Sequence, residues 1–486
     1  MARKQIGQFP GNAARMTLGI APQTGARRTD LAIDFSLRDY FDPLTILRMR
    51  RIMARTQWMS DTELREYQNR RLQLMIRHAA RNVPYYRNLF AEHRLRIEDF
   101  ACVDDLEGLP RLQRETVRTR RSAFLADDIG RLHPTTVRTS GTTGTPLECY
   151  LDRESNALEF VHYWRHWGWA GYRLGDRFAE LASTHFLRRP HLDGQIADCR
   201  RLYGRLLLNS MKITAAGIGE YATALRRFRP RFLKGLPSAL YHFACLLTAS
   251  KAAIPPMRAV FSGGENLTPE IRSTIEQTFQ CPLLDCYGHM ERTVCIAQCP
   301  EGSYHILSDY GLLELVDRTP LPESGVELAS ALGSGLYNRA MPLLRYEIGD
   351  LIEVFKDPPR CRCGRSFPVI RGVRGRIAAA VITPEGRVES ALFAIPAIVP
   401  GIAFLQFIQS RADKVEVRVV RGERYDRNSD ATLHRCLNEA LGSQIQVSVS
   451  YVSLEDTETD TSGKRPVIVS ELTGRAAPSD PASRGT

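Results

Sequence analysis

The chain has 486 residues, 43% hydrophobic and 25% charged, with 66 Lys+Arg against 54 Asp+Glu and a formal net charge of +12. This is ordinary globular usage; it excludes a mostly disordered, collagen-like or low-complexity chain and leaves ample material for a core. The basic excess favours anionic partners (nucleotides, phosphorylated cofactors, nucleic acid or an anionic membrane surface) without choosing among them.

Residues 1–28 carry Arg3, Lys4, Arg15, Arg27 and Arg28 with no acidic residue, and are expected to be a disordered basic tail. Met1–Ile20 lacks the continuous apolar region of a signal peptide. From 29 to 125 the pattern is mostly helical. Ser60-Asp61-Thr62-Glu63 reads as a helix start, and an apolar stripe through Leu72, Met75, Ile76 and Ala79 runs to a stop before Pro84. From Leu132 to about Gly372, short β-branched runs alternate with helical ones, as in Phe232–Leu236, Ala239–Ala249, Ala259–Ser262 and Pro269–Phe279. That rhythm predicts βα units and a largely parallel sheet. Beyond Arg376 the runs Phe404–Gln409, Lys414–Val420, Ala431–Leu441 and Val447–Val452 predict a β-β-α-β unit. The apolar stretch Ala391–Leu405 is too short to span a bilayer and holds Pro396, Pro400 and Gly401. Eleven cysteines, an odd number in a long chain, fit a reduced cytoplasmic protein with one metal site better than a disulfide framework. The expected division is a large domain over 29–374, a small mobile domain over 375–475 and a disordered tail over 476–486.

Thr139-Ser140-Gly141-Thr142-Thr143-Gly144-Thr145-Pro146 carries the first chemistry. Its glycines let the backbone turn tightly and expose N–H donors, its hydroxyls add more, and such a loop can wrap a phosphate without a Walker lysine. Six further segments matter: Gln68–Arg87, Ser262-Gly263-Gly264-Glu265, Asp285-Cys286-Tyr287-Gly288-His289-Met290-Glu291, Met341–Asp350, Gly375-Arg376 and Ser462-Gly463-Lys464. Alone, each has a bland reading: Tyr287 a core tyrosine, Glu291 a solvated glutamate, Asp350 a turn aspartate, Lys464 an exposed tail lysine.

In this order, the segments resemble the adenylate-forming superfamily of acyl- and aryl-CoA ligases, in its phenylacetate–CoA ligase and CapK-like branch. The resemblance implies an α/β fold, with a large amino-terminal domain of mixed sheets and helices and a small α+β carboxy-terminal domain. It implies an enzyme that forms an acyl-adenylate from ATP and a carboxylic acid, releases pyrophosphate and then passes the acyl group on. CoA is the acceptor it favours. The alternative within the branch is adenylyl or acyl transfer to a hydroxyl or amine without a thioester. The resemblance assigns the pyrophosphate loop to Thr139, Ser140, Gly141, Thr142, Thr143 and Gly144. It assigns the adenine segment to Gly263, Gly264 and Glu265 together with Cys286, Tyr287 and Gly288, the ribose to Asp350, and Mg²⁺ to Glu291. Arg376 is then the hinge arginine that neutralises phosphate, and Lys464 the catalytic lysine. Tyr287 can stack on a purine, Glu291 offers a hard oxygen to Mg²⁺, and Lys464 is a compact cation on a flexible loop. Two departures stand out: Met290 replaces the hydroxyl residue usual before the magnesium glutamate, and Ile377-Ala378-Ala379-Ala380 lacks the acidic residue usual after the hinge arginine. The second predicts sound adenylation with slow or absent transfer to CoA. The acyl pocket is expected near residues 180–189, Gly235 and Gly263.

Cys299 and His305 precede Cys361-Arg362-Cys363-Gly364. A Cys-x-Cys-Gly turn presents two thiolates to one ion, and three cysteines with one histidine form a closed, structural zinc set. A subset of the same ligase branch carries a matching site. Cys286 and Cys295 are alternative ligands to this set, and His289 is read as lining the pocket. A zinc-containing nucleic-acid-binding protein is the competing class, but the chain shows no interleaved aromatics or recognition-helix spacing, so no nucleic-acid partner is expected. No transmembrane segment is expected, and a homodimer is the assembly left open.

Overall fold

The computed structural model describes residues 43–138, 147–187, 189–192, 194–201, 204–321, 325–376, 381–382, 384, 388–389, 392, 395–442, 444–459 and 464–470. Helices Pro43–Thr56, Asp61–Asn82 and Pro84–Glu92 lead. The second begins where its capping residues predict. Ser60 Oγ accepts the Glu63 amide, and Glu63 Oε2 accepts the Ser60 amide at 2.9 Å. Val83 is extended because it precedes proline, so that helix stops and Pro84 opens the next. The buried face Leu64, Leu72, Met75, Ile76 and Ala79 joins a core with Tyr337, Leu344 and Tyr346.

The strands follow in chain order. β1 (Thr135–Arg138) and β2 (Glu148–Leu151) form an antiparallel pair. Then come β3 (Phe178–Leu181), β4 (Ala197–Arg200), β5 (Arg205–Leu208), β6 (Phe232–Gly235), β7 (Ala259–Gly263), β8 (Leu283–Gly288), β9 (Cys295–Gln298) and β10 (Tyr304–Ile306). β11 (Gly311–Pro320), β12 (Val326–Gly335), β13 (Tyr346–Phe355), β14 (Val369–Ile370) and β15 (Gly372–Arg376) complete this part. One sheet has nine strands in the order β14-β10-β9-β8-β7-β6-β3-β5-β4, and a second has four in the order β11-β12-β13-β15. The large sheet is parallel only at its centre, across β5, β3, β6, β7 and β8. Its flanks are antiparallel, which corrects the expectation of a largely parallel sheet. The reason is loop length: residues 289–294 between β8 and β9 are too few for a helical crossover, so the chain turns straight back.

Past β16 (Val381–Ile382) and β17 (Val388–Glu389), a four-stranded sheet contains β18 (Ile402–Arg411), β19 (Lys414–Arg421), β20 (Gln446–Tyr451) and β21 (Ile468–Ser470) in the order β20-β19-β18-β21. Helix Arg427–Leu441 links the parallel β19 and β20. The predicted β-β-α-β order is present. β21, too short for a periodic signal, adds a strand parallel to β18. Ala403, Phe404, Val420 and Leu454 join a core with Leu240, Ile271 and Leu283 of the preceding region. Arg424 pairs with buried Glu270 at 2.7 Å across the same contact. No described helix is long and apolar enough to cross a membrane.

Candidate active site

The segment read in the sequence as adenine-binding lies at the carboxyl ends of β7 and β8, where open α/β sheets hold ligands. The two strands are adjacent and parallel, with Gly263 opposite Cys286. A Cβ on Gly263 would lie 2.5 Å from the Cys286 carbonyl oxygen, so only glycine lets the strands approach this closely. Gly264 follows at φ +88°, in the left-handed region. A Cβ there would lie 3.5 Å from Lys464 Cε and 3.6 Å from Nζ. Lys464 is thus held against the glycine segment, although 200 residues separate them in the chain.

Glu265 makes that placement firm. Its Oε2 accepts the Ser238 amide at 2.9 Å, and its Oε1 accepts the Arg465 amide at 2.9 Å. Ser238 opens helix Pro237–Ser250, so one carboxylate ties a helix N-terminus to the lysine segment. Arg465 also donates through Nε to the Leu454 carbonyl at 3.2 Å and to Thr457 Oγ1 at 3.0 Å. Burial draws the Arg465 guanidinium below its ordinary range, and Glu265 and Glu455 counter this. Arg465 and Ser238 were not among the residues singled out in the sequence; for Arg465 the only signal was its position beside Lys464.

Tyr287 leaves β8 and donates its hydroxyl to Asp350 Oδ2, which joins the purine and ribose candidates of two different sheets. Asp350 is buried, and in the β13–β15 pair it stands opposite Arg376. The Arg376 backbone closes β15; its side chain lies outside the described residues, as do 377–380. Thr139, Ser140, Gly141, Thr142, Thr143 and Gly144 also lie outside them. The flanking strands β1 and β2 are clamped by Arg138, whose Nη2 meets Glu148 Oε2 at 2.7 Å.

Glu291 is buried and engaged on both oxygens. Oε1 accepts from Arg114 Nη1 at 2.8 Å and from the Tyr346 hydroxyl at 3.0 Å. Oε2 meets His289 Nδ1 at 3.1 Å. The Val294 amide donates to His289 Nε2 at 3.2 Å, so Nδ1 carries the proton that goes to Glu291. His289 therefore orients the carboxylate. Burial pushes the Tyr346 phenol up, and Glu291 pushes it further. Arg114, 177 residues from Glu291, left no local sequence signal.

Cys299, His305, Cys361 and Cys363 converge, with all donor atoms within 4.8 Å of one another. Sγ of Cys299 and Cys361 are 3.5 Å apart, and Cys363 Sγ is 3.3 Å from His305 Nε2. His305 Nδ1 donates to the Phe367 carbonyl at 2.9 Å, which leaves Nε2 to face the thiols. Gly364, at φ +75°, makes the turn after Cys363. The donor set and its orientation fit a tetrahedral ion with no open position. Cys286 and Cys295, read in the sequence as alternative ligands here, lie elsewhere. They adjoin His162 in a separate buried group, because the β8–β9 turn faces them toward helix Arg153–Trp169.

The carboxy-terminal region, residues 382–471, matches the family model described as the CapK C-terminal domain. The chain is 26% identical over 390 residues to a phenylacetate–coenzyme A ligase of Thermus thermophilus, covering 75% of this chain and 83% of that protein. It is 28% identical over 338 residues to one of Pseudomonas putida, covering 64% and 73%. It is 21% identical over 301 residues to the protein CapK of Staphylococcus aureus, covering 61% and 64%. Among solved structures, 2-hydroxyisobutyryl-CoA ligase in its postadenylation state with 2-HIB-AMP superposes with a TM-score of 0.61, 18% identity and 86% and 92% coverage. The same enzyme with 2-HIB-AMP and CoA in the thioesterification state gives 0.51, with 18% identity and 87% and 93% coverage.

Proposed function

We propose that this chain is a member of the phenylacetate–CoA ligase and CapK branch of the adenylate-forming ligases, and that it activates a small carboxylic acid with ATP and passes the acyl group to CoA. A carboxylate oxygen attacks the α-phosphorus of ATP, the bond to the β-phosphate oxygen breaks, and pyrophosphate leaves. The thiol sulfur of CoA then attacks the acyl carbon, AMP leaves, and the thiol proton passes to solvent. The observation that carries this reading is Lys464 lying against Gly264, clamped through Arg465 and Glu265. That cation adjoins the segment where the adenylate would form, and a fixed charge there stabilises the transferring phosphoryl group.

In this reading Tyr287 and the backbone of Gly263–Glu265, with Cys286 and Gly288, hold the adenine, and Asp350 holds the ribose. The loop Thr139–Gly144 holds the leaving pyrophosphate, and Arg376 neutralises phosphate. Glu291, oriented by His289 and Arg114, would hold the magnesium that accompanies ATP. Cys299, His305, Cys361 and Cys363 would hold one zinc ion, whose role is to fix the turns that carry them. Residues 375–475 would act as a small mobile domain. A pyrophosphate-exchange screen over aryl, fatty and amino acids tests the proposal. Exchange with one acid class, followed by acyl-CoA formation, is the expected result. Exchange with none overturns it, and exchange without thioester would point to a hydroxyl or amine acceptor.

A further inference from the structure

Cys286 and Cys295 have a role of their own in the fold. Their strands pair antiparallel, and the two sulfurs lie 3.9 Å apart. Helix Arg153–Trp169 lies over them and carries His162 and His166, four residues apart and so on one face. His162 Nδ1 is 3.6 Å from Cys295 Sγ, and these two residues and Cys286 bring their donor atoms within 4.8 Å of one another. On the same helix face His166 Nε2 donates to the Gln298 carbonyl at 3.0 Å, while its Nδ1 is buried and has no hydrogen-bond partner among the described residues. A buried imidazole nitrogen without a partner is costly unless something occupies it.

The geometry points to a second zinc site, held by His162, Cys286 and Cys295, with His166 on the same helix face as the fourth ligand that would swing in on binding. Zinc–sulfur bonds of ~2.3 Å and zinc–nitrogen bonds of ~2.0 Å at tetrahedral angles place ligand atoms ~3.3–3.8 Å apart, close to the 3.6 Å between His162 Nδ1 and Cys295 Sγ and the 3.9 Å between the two sulfurs. The outer groups match as well: His166 donates through Nε2 to a carbonyl, and Glu159 Oε2 lies 3.9 Å from His162 Nε2. Binding releases two thiol protons to solvent, so two thiolates and Zn²⁺ sum to zero charge. That neutrality matters where all four side chains are under one-tenth exposed. The ion would cross-link the helix to the strand that carries Tyr287, fixing the adenine candidate from behind. This site is distinct from the three-cysteine cluster and stands without it.

Elemental analysis of full-length protein expressed with zinc tests the assignment. Wild type is expected to hold about two zinc ions per chain, one for each closed four-ligand set. Cys361→Ser should keep one, and Cys295→Ser and His166→Ala should each lose one. Should those variants fail to fold, cobalt-loaded Cys361→Ser keeps the question open to refutation: it should show the visible bands and sulfur charge transfer of a tetrahedral site with two thiolates. Wild type with a single zinc that Cys361→Ser abolishes overturns the assignment, and so does a Cys286–Cys295 disulfide in freshly purified protein. Wild type free of zinc overturns both metal sites, whereas loss of zinc confined to Cys361→Ser leaves the three-cysteine site standing.

Discussion

Replacing Lys464 by Ala removes the cation beside Gly264 and leaves its anchor in place. The anchor is made by the Arg465 amide and side chain on Glu265, Leu454 and Thr457, none of which uses the Lys464 side chain. The loop should therefore stay docked, and the loss should be one of charge. Two unit charges ~4 Å apart at an effective dielectric of ~20 interact by ~4 kcal/mol. Removal of one such contact to a transition state costs a similar ~3–4 kcal/mol in well-studied enzymes. At ~1.4 kcal/mol per factor of ten, exchange should fall by about a thousandfold. Pyrophosphate exchange at saturating ATP and acid reads the rate, while nucleotide titration and thermal melting should stay near wild type. Exchange within a few-fold of wild type would refute the role of Lys464, whatever the substrate.

Glu265→Gln should slow adenylation by about tenfold, because the amide keeps one acceptor for two backbone donors and turns an N–H toward the other. Combined with Lys464→Ala, it should add little, since both act through one loop; full additivity in exchange assays would oppose this. Cys361→Ser should lower stability by ~3 kcal/mol or more, read by calorimetry, since losing a ligand removes binding energy coupled to folding. Adenylation should outpace thioester formation, because residues 377–380 offer no charged side chain to bond differently in two hinge states. An acyl-CoA rate equal to the exchange rate would show that alanines suffice there.

What the sequence settles by itself is what lies within one turn or one loop. Ser60 with Glu63 and the stop before Pro84 define the helix Asp61–Asn82, because caps and proline act on adjacent backbone. Cys361 and Cys363 are brought to one side of a turn for the same reason: two residues and a glycine place both thiols. The ordered motifs likewise pointed to Lys464 and Gly264 as members of one site. Their contact, the Glu265–Arg465 clamp and the Arg114–Glu291 pair depend on chain segments 177–200 residues apart, which only packing brings together. The antiparallel flanks of the large sheet were hidden because a hydrophobic run does not state the direction of its neighbour. His162 and His166 share a helix face that looks like core, and Cys286 and Cys295 look like spare ligands for the wrong cluster. Only the β8–β9 turn, laid against that helix, decides that His162, Cys286 and Cys295 face one another with His166 one turn along.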